Sequence, residues 1–289
     1  MLMNALLSGL TLGAMYSLVA MGMTLQYGVS RIMNLAYGEI LILGSFATYV
    51  LFGSLGISPY LSLLVVAPAA FVLSWLIYSI MLTPLVARAR NPIALEVDSI
   101  LITFGLLFVI QGIMLVTFGA NYTSYSYLDF PVNVLGSTTS ANRLVALLAA
   151  LVLGAGAYLL LLKTRTGAAL RAVASEPVGA GLVAIDVKWA AALGFALGGA
   201  IAALGGVLAS TFMTFTAQMG VAFTMKALIV VIMAGVGNVF GAFLAGFFLG
   251  LVESMVATFW DPGLTIAVIY AVFLLALIIR PTGIFGKAA

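Results

Sequence analysis

Residues 219–259 read MGVAFTMKALIVVIMAGVGNVFGAFLAGFFLGLVESMVATF. Two apolar runs, Met219–Val236 and Val239–Phe259, are separated only by Gly235-Val236-Gly237-Asn238. Each run approaches the roughly 20 residues that a helix needs to cross the hydrocarbon of a bilayer. No water-facing segment fits between them, so the chain turns back at once or breaks its helix there. Each run also carries one ionisable residue, Lys226 and Glu253. Placing such a group in a span costs about 2.5–3.5 kcal/mol on insertion scales, which makes both residues functional candidates. If the runs are antiparallel crossings, the two residues lie at similar depth, roughly 10 Å from the outer end at 1.5 Å per residue. They are then expected to pair or to share a polar network.

The pattern extends along the whole chain. Of 289 residues, 64% are hydrophobic and 7% charged, against about 25% charged in soluble domains. Further apolar segments cover 2–26, 34–52, 60–81, 99–118, 144–162, 189–212 and 264–279. The expected fold is therefore all-α: a single transmembrane domain over 1–289, a polytopic helical bundle of about eight or nine membrane segments with at least one broken or re-entrant helix. If all nine cross, one side holds Arg31, Arg88, Arg90, Lys163, Arg165, Arg171, Lys188, Arg280 and Lys287, nine of the eleven basic residues. Only Arg143 and Lys226 lie towards the other. The positive-inside rule then puts the C-terminus in the cytoplasm and the N-terminus outside. The first run lacks the basic flank of a cleavable leader and reads as a retained span.

Two loops are long. The external loop, 119–142, is rich in Tyr, Ser, Thr and Asn. The internal loop, 163–188, alternates apolar Ala168, Ala169, Ala172 and Val173 with Arg165, Arg171 and Glu176. Pro177 suits the first turn of a second short helix, so this loop reads as two helices at the membrane surface. Small residues recur every fourth position at Gly194, Gly198, Ala202 and Gly206, and at Ala242, Gly246 and Gly250. Such stripes let helix backbones approach closely in lipid.

A third intramembrane charge, Glu39, follows Asn34, Tyr37 and Gly38. Gly and Asn interruptions in the two halves point to discontinuous helices around a site. The candidate pathway residues are thus Asn34, Tyr37, Gly38, Glu39, Lys226, Gly235, Gly237, Asn238 and Glu253. Several chemistries are excluded. The chain has no Cys and no His, which removes disulfides, imidazole and thiolate metal sites, and His-based catalysis. No phosphate-cradling G-x-x-x-x-G-K-[ST] stretch occurs, and scattered basic residues do not make a nucleic-acid face. The chain reads as a transport component and not an enzyme, with no metal or cofactor of its own.

Three stretches carry a family resemblance. They are 32–44 (IMNLAYGEILILG), 164–185 (TRTGAALRAVASEPVGAGLVAI) and 225–253 (MKALIVVIMAGVGNVFGAFLAGFFLGLVE). In order and spacing they resemble the permease subunits of branched-chain amino acid ABC importers, the LivH type, over essentially the whole chain. Tyr37 stands where His is frequent in that family, Ala234 where Gly is usual and Asn238 where Ser is common. The resemblance implies a permease in a bacterial cytoplasmic (inner) membrane that forms half of a pathway for branched-chain or other hydrophobic amino acids. It implies a second homologous permease subunit, two ATPase subunits that use ATP, and an external substrate-binding protein met by loop 119–142. Arg171, Glu176, Pro177, Ala180 and Gly181 would form the ATPase coupling site. Urea, short amides or aromatic carboxylates are alternative cargoes, and an ion-coupled secondary transporter is the alternative class.

Overall fold

The computed structural model describes all residues except 89, 90, 135, 236, 281 and 286–289. Arg90 and Lys287, counted above for orientation, lie outside the described residues. Helix α1 covers Leu2–Ser30, α2 Tyr37–Leu55 and α3 Pro59–Ile77; a π turn over Tyr78–Leu82 leads into α4, Thr83–Arg88. Helix α5 covers Pro92–Phe118. Strands β1 (Pro131–Val134) and β2 (Ser137–Ser140) follow, then α6 (Ala141–Lys163), α7 (Arg165–Ser175), α8 (Pro177–Leu182) and α9 (Val187–Ser210). Helices α10 (Gly220–Ala234), α11 (Val239–Phe259) and α12 (Thr265–Ile279) complete the chain. Among the described residues, eight helical stretches are long and apolar enough to cross a membrane, and α10 is a shorter apolar helix. The expected polytopic bundle is present.

Helices α1 and α9 form the centre, while α5, α6 and α12 turn most of their surface outward. That outer surface carries Leu101, Phe108, Val116, Val152 and Ile278, all exposed, as suits a lipid-facing wall. The small-residue stripes account for the central packing. A Cβ on Gly198 would stand 2.7 Å from the Gly22 carbonyl, and one on Gly194 2.9 Å from Val29. One on Gly206 would collide with the Leu41 carbonyl. Gly246 likewise admits Ser17 of α1, whose hydroxyl donates to the Phe243 carbonyl at 2.6 Å. Each helical Gly costs about 1 kcal/mol against Ala, and here the cost is offset by backbone contact over whole helix lengths.

These contacts fix direction. Val29 meets Gly194 and Val19 meets Gly205, so α1 and α9 are antiparallel; Gly9 meets Leu251 and Ser254, so α1 and α11 are antiparallel too. The N-terminus, the Leu55–Pro59 turn and the β-hairpin lie at one end of the bundle. Helices α7 and α8, Arg31 and the segment after α12 lie at the other: Arg31 donates to the Ala174 carbonyl at 2.9 Å, and the Ile284 N–H to the Met233 carbonyl at 2.7 Å.

Local signals explain the element ends. Asn91, Thr164, Asp186 and Asn238 each accept a backbone N–H of the first helical turn that follows, satisfying donors that a helix start leaves orphaned. Pro84 has no N–H and crowds the preceding turn; the π turn just before it widens the spiral and lets the helix continue. The external loop contains a hairpin that an all-α reading did not include. Val132, Val134, Thr138 and Thr139 favour strands, and Gly136 turns the chain at φ 80°. This loop is tied to the segment after α9 by Thr123–Phe215 backbone pairing and to the end of α9 by Tyr125 on Ser210 at 2.8 Å.

A candidate pathway between two half-helices

The decisive feature lies between α1 and α2. Helix α1 runs to Ser30 at the α7–α8 end, and residues 31–36 then run back into the bundle without helical bonds. Non-helical backbone at membrane depth is tolerated only where protein satisfies its polar groups. Here three side chains do so. The Thr103 hydroxyl donates to the Ser99 carbonyl of its own helix at 2.7 Å and accepts from the Leu35 N–H at 3.1 Å, with the Met33 carbonyl also within 3.1 Å of it. Asn34 Oδ1 accepts from the Ala36 N–H at 3.0 Å, and its amide donates to Gln26 at 3.3 Å. Thr224 of α10 accepts from the Gly38 N–H at 2.8 Å.

Helix α2 therefore starts inside the bundle. Its first residue, Tyr37, donates its hydroxyl to the Val19 carbonyl near the middle of α1, at 2.7 Å. Helix α10 starts at the same level from the opposite direction, after residues 211–219 re-enter from the other end. The two N-termini meet: a Cβ on Gly38 would strike the Gly220 carbonyl and lie 2.6 Å from the Thr224 hydroxyl. The side chain of Glu39 is fully buried against Gly220, and neither carboxylate oxygen has a hydrogen-bond partner among the described residues. Helix N-termini carry partial positive charge, so this carboxylate lies where two of them converge.

Long helix, break and a second helix that starts inside the bundle thus occur twice, α1–break–α2 and α9–break–α10, with α1 and α9 antiparallel; α2 has 19 residues and α10 has 15. Inverted repeats built from discontinuous helices are a common transporter plan. The sequence-based placement of the second break is corrected by this arrangement. Gly235, Gly237 and Asn238 form the tight turn at the α7–α8 end, with Gly235 at φ 88° and Gly237 at φ 83°. Asn238 caps α11 and donates to the Phe285 carbonyl. They close an end of the bundle and do not sit at mid-depth. The break is the polar run containing Thr214, Thr216 and Gln218, and that run was its only sequence signal. Met219–Val236 is accordingly a half-helix of 15 residues and not a full crossing.

Lys226 and Glu253 pair as their placement predicts, with Nζ 2.7 and 3.0 Å from the two carboxylate oxygens. Lys226 also donates to the Tyr16 hydroxyl at 2.7 Å and lies 4.9 Å from that ring. The expected depth holds for Glu253, six residues before the end of α11, and is corrected for Lys226: α10 starts inside the bundle, so Lys226 lies deeper and reaches Glu253 beside Tyr16, the midpoint of α1. Two cavities flank it along α1. One, about 420 Å³, opens at the N-terminal end and is lined by Ser8, Leu12, Arg143 and Glu253 among others. The other, about 160 Å³, is lined by Met23, Gln26, Tyr27, Met33 and Asn34 with α10 residues. Residues 8, 12, 16, 23 and 27 share one face of α1. Buried Tyr16 lines neither cavity and lies between them on that face.

The sequence-predicted residues divide accordingly. Asn34, Glu39, Lys226 and Glu253 cluster around the mid-bundle, and Gly38 permits the meeting of helix ends. Tyr37 is a fully buried strut and lines neither cavity. Tyr16, Gln26, Thr103, Arg143 and Thr224 were not singled out from sequence. Only Gln26, an amide in an apolar run, carried a signal there.

In the internal loop α7 and α8 form as two short helices, but the buried face of α7 is Gly167, Leu170 and Val173. Ala168, expected on the apolar face, is exposed. Arg171 donates to the Leu162 carbonyl of its own chain at 3.4 Å, Glu176 precedes α8 and Pro177 opens it. Ala180 is buried against this chain's own core, so it offers no outward contact, whereas Gly181 is exposed. The outward apolar residues are Val178, Leu182 and Val183, at 74%, 85% and 69% exposure.

Eight candidate spans among the described residues, with α2 and α10 starting head to head inside the bundle, define a polytopic membrane protein of the transporter type. Residues 5–277 match the family described as branched-chain amino acid transport system / permease component, and the chain belongs to that family. Among its relatives is the high-affinity branched-chain amino acid transport system permease protein LivH of Escherichia coli K12, 26% identical over 99% of this chain and 96% of the relative. BraD of Pseudomonas aeruginosa, with the same description, is 25% identical over 99% of this chain and 96% of its own length. The probable branched-chain amino acid permease LivH of Methanocaldococcus jannaschii is 28% identical over 93% and 88%. No solved structure gives a significant match.

Proposed function

We propose that this chain is a membrane subunit of an ATP-driven importer for branched-chain or other hydrophobic amino acids and supplies half of its translocation pathway. The observation that carries the proposal is the end-to-end relation to LivH and BraD. It favours amino acids over urea, amides or aromatic carboxylates, and an ABC system over an ion-coupled carrier. A second homologous permease completes the pore, two ATPase subunits hydrolyse ATP, and an external binding protein delivers substrate. The chain itself contributes no cofactor. Among the described basic residues, Arg31, Arg88, Lys163, Arg165, Arg171, Lys188 and Arg280 fall at the α7–α8 end, which supports a cytoplasmic position for that end and the C-terminus in a bacterial inner membrane.

The ATPase docks on α8, with Val178, Leu182 and Val183 as its apolar contact and Glu176 and Gly181 beside them. ATP-driven closure moves α7–α8. That motion reaches α1 through Arg31 and α9 through Asp186, and it shifts the half-helices past one another. Proteoliposomes holding the complete complex, with binding protein on one side and ATP on the other, test this. Accumulation of L-leucine that requires ATP and survives collapse of the ion gradients supports the reading. Uptake that ignores ATP and follows the gradient overturns it.

A further inference from the structure

We infer that the cavity of about 420 Å³ at the N-terminal end is a transient binding site for a zwitterionic α-amino acid, with Arg143 holding the carboxylate and Glu253 the ammonium. The inference rests on the amino-acid transport reading above and adds the site that cargo would occupy. Its volume falls within the roughly 300–1,000 Å³ of small-ligand pockets. Both signs of charge line this one cavity, and its apolar wall is Leu12, Phe212 and Met213. That combination suits a molecule with two charges on one carbon and a hydrocarbon side chain.

Each charged group has capacity to spare. A guanidinium has five N–H donors in a fork that matches a carboxylate. Arg143 uses one of them on Ser8 at 2.9 Å and has no carboxylate partner among the described residues. A carboxylate accepts about four hydrogen bonds; Lys226 supplies two to Glu253 and the buried Tyr16 hydroxyl is a further partner, which leaves capacity for one more donor. Glu253 lines the cavity and Lys226 does not. An ammonium arriving at Glu253 competes with Lys226 for the carboxylate. Occupancy would thereby loosen the Lys226–Glu253–Tyr16 contact that separates this cavity from the next. Cargo of the right chemistry weakens the barrier ahead of it.

The test uses the complete transporter in nanodiscs without binding protein, and radiolabelled L-leucine. Competitors are isoamylamine, which lacks the carboxylate, and isocaproate, which lacks the ammonium. Saturable L-leucine binding is expected, with either analogue weaker by roughly tenfold or more, the scale of a lost charge-assisted contact. R143Q should weaken L-leucine by a similar factor and leave isoamylamine within about twofold; that retained binding shows the variant is folded. E253Q should weaken L-leucine and isoamylamine and spare isocaproate, and R143K should keep part of the preference for L-leucine. Absence of saturable binding overturns the inference, as does equal weakening of L-leucine and isoamylamine by R143Q or by R143K. ATP-driven uptake without such binding would sink the site and leave the transport reading standing. Binding without uptake would do the reverse.

Discussion

Replacing Glu253 with Gln removes the anion of the mid-bundle pair and leaves Lys226 with the Tyr16 hydroxyl and ring. Lys226 Nζ loses two charge-assisted bonds, at 2.7 and 3.0 Å. Removing one partner of a buried pair costs about 3–5 kcal/mol. Here the side chains are 21% and 16% exposed, so screening brings the expected cost to roughly 2–3 kcal/mol. K226M leaves Glu253 at the wall of an open cavity, where water can reach it, and should cost less, roughly 1–2 kcal/mol. The double variant removes both charges, so it should be more stable than the sum of the single effects by about 1–2 kcal/mol. Thermal unfolding of the purified chain in detergent reads these differences, with E253Q lowering Tm by about 5 °C. Strict additivity of the two substitutions, or an unchanged Tm in E253Q, would refute the pair as an energetic unit.

Gly38→Ala or Gly220→Ala forces a Cβ into the junction of the half-helices and should lower stability by about 1–3 kcal/mol, while Gly28→Ala, with only Gly237 at 3.6 Å, should be tolerated; the same melts compare them. Serine at Val178, Leu182 and Val183 together should leave Tm unchanged and abolish ATP-driven uptake, whereas Ala180→Leu should lower Tm because Ala180 faces this chain's core. Burial of Tyr125 against the end of α9 raises its phenol to about 12, with its bond to Ser210 acting weakly the other way. The folded state then holds that proton more tightly than the unfolded state. This contribution to stability is intact below pH 10 and is lost between about pH 10 and 12; ultraviolet titration of the wild type against Tyr125→Phe isolates the late-ionising phenol.

Much of this architecture was legible in the residues. Apolar runs and their lengths identified the spans, because lipid leaves a helix no other way to satisfy its backbone. The antiparallel placement of Lys226 and Glu253 predicted their pairing. What the sequence did not reveal was where helices begin inside the bundle. Gly235 and Gly237 are the conspicuous breakers, yet they make an ordinary end turn, while the functional break before Gly220 is marked only by scattered Thr and Gln. Thr103 and Thr224 accept backbone N–H groups of the break from distant helices while also bonding within their own helices, and a Thr in an apolar run shows from sequence only the second role. The direction of Ala180 was equally hidden, since a six-residue helix has too short a period to show which face packs inward.

The proposed route runs along one face of α1 and is closed at mid-bundle by Tyr16, Lys226 and Glu253. The chain contains no cysteine, so label found on this chain after the subunits are separated comes from the substituted residue alone. Leu12→Cys and Met33→Cys, each in the complete transporter, are exposed to a membrane-impermeant thiol reagent from either side. Leu12→Cys is expected to react only from the side of the N-terminus and Met33→Cys only from the opposite side. Reaction of both from one side, or of neither from any, would contradict this route.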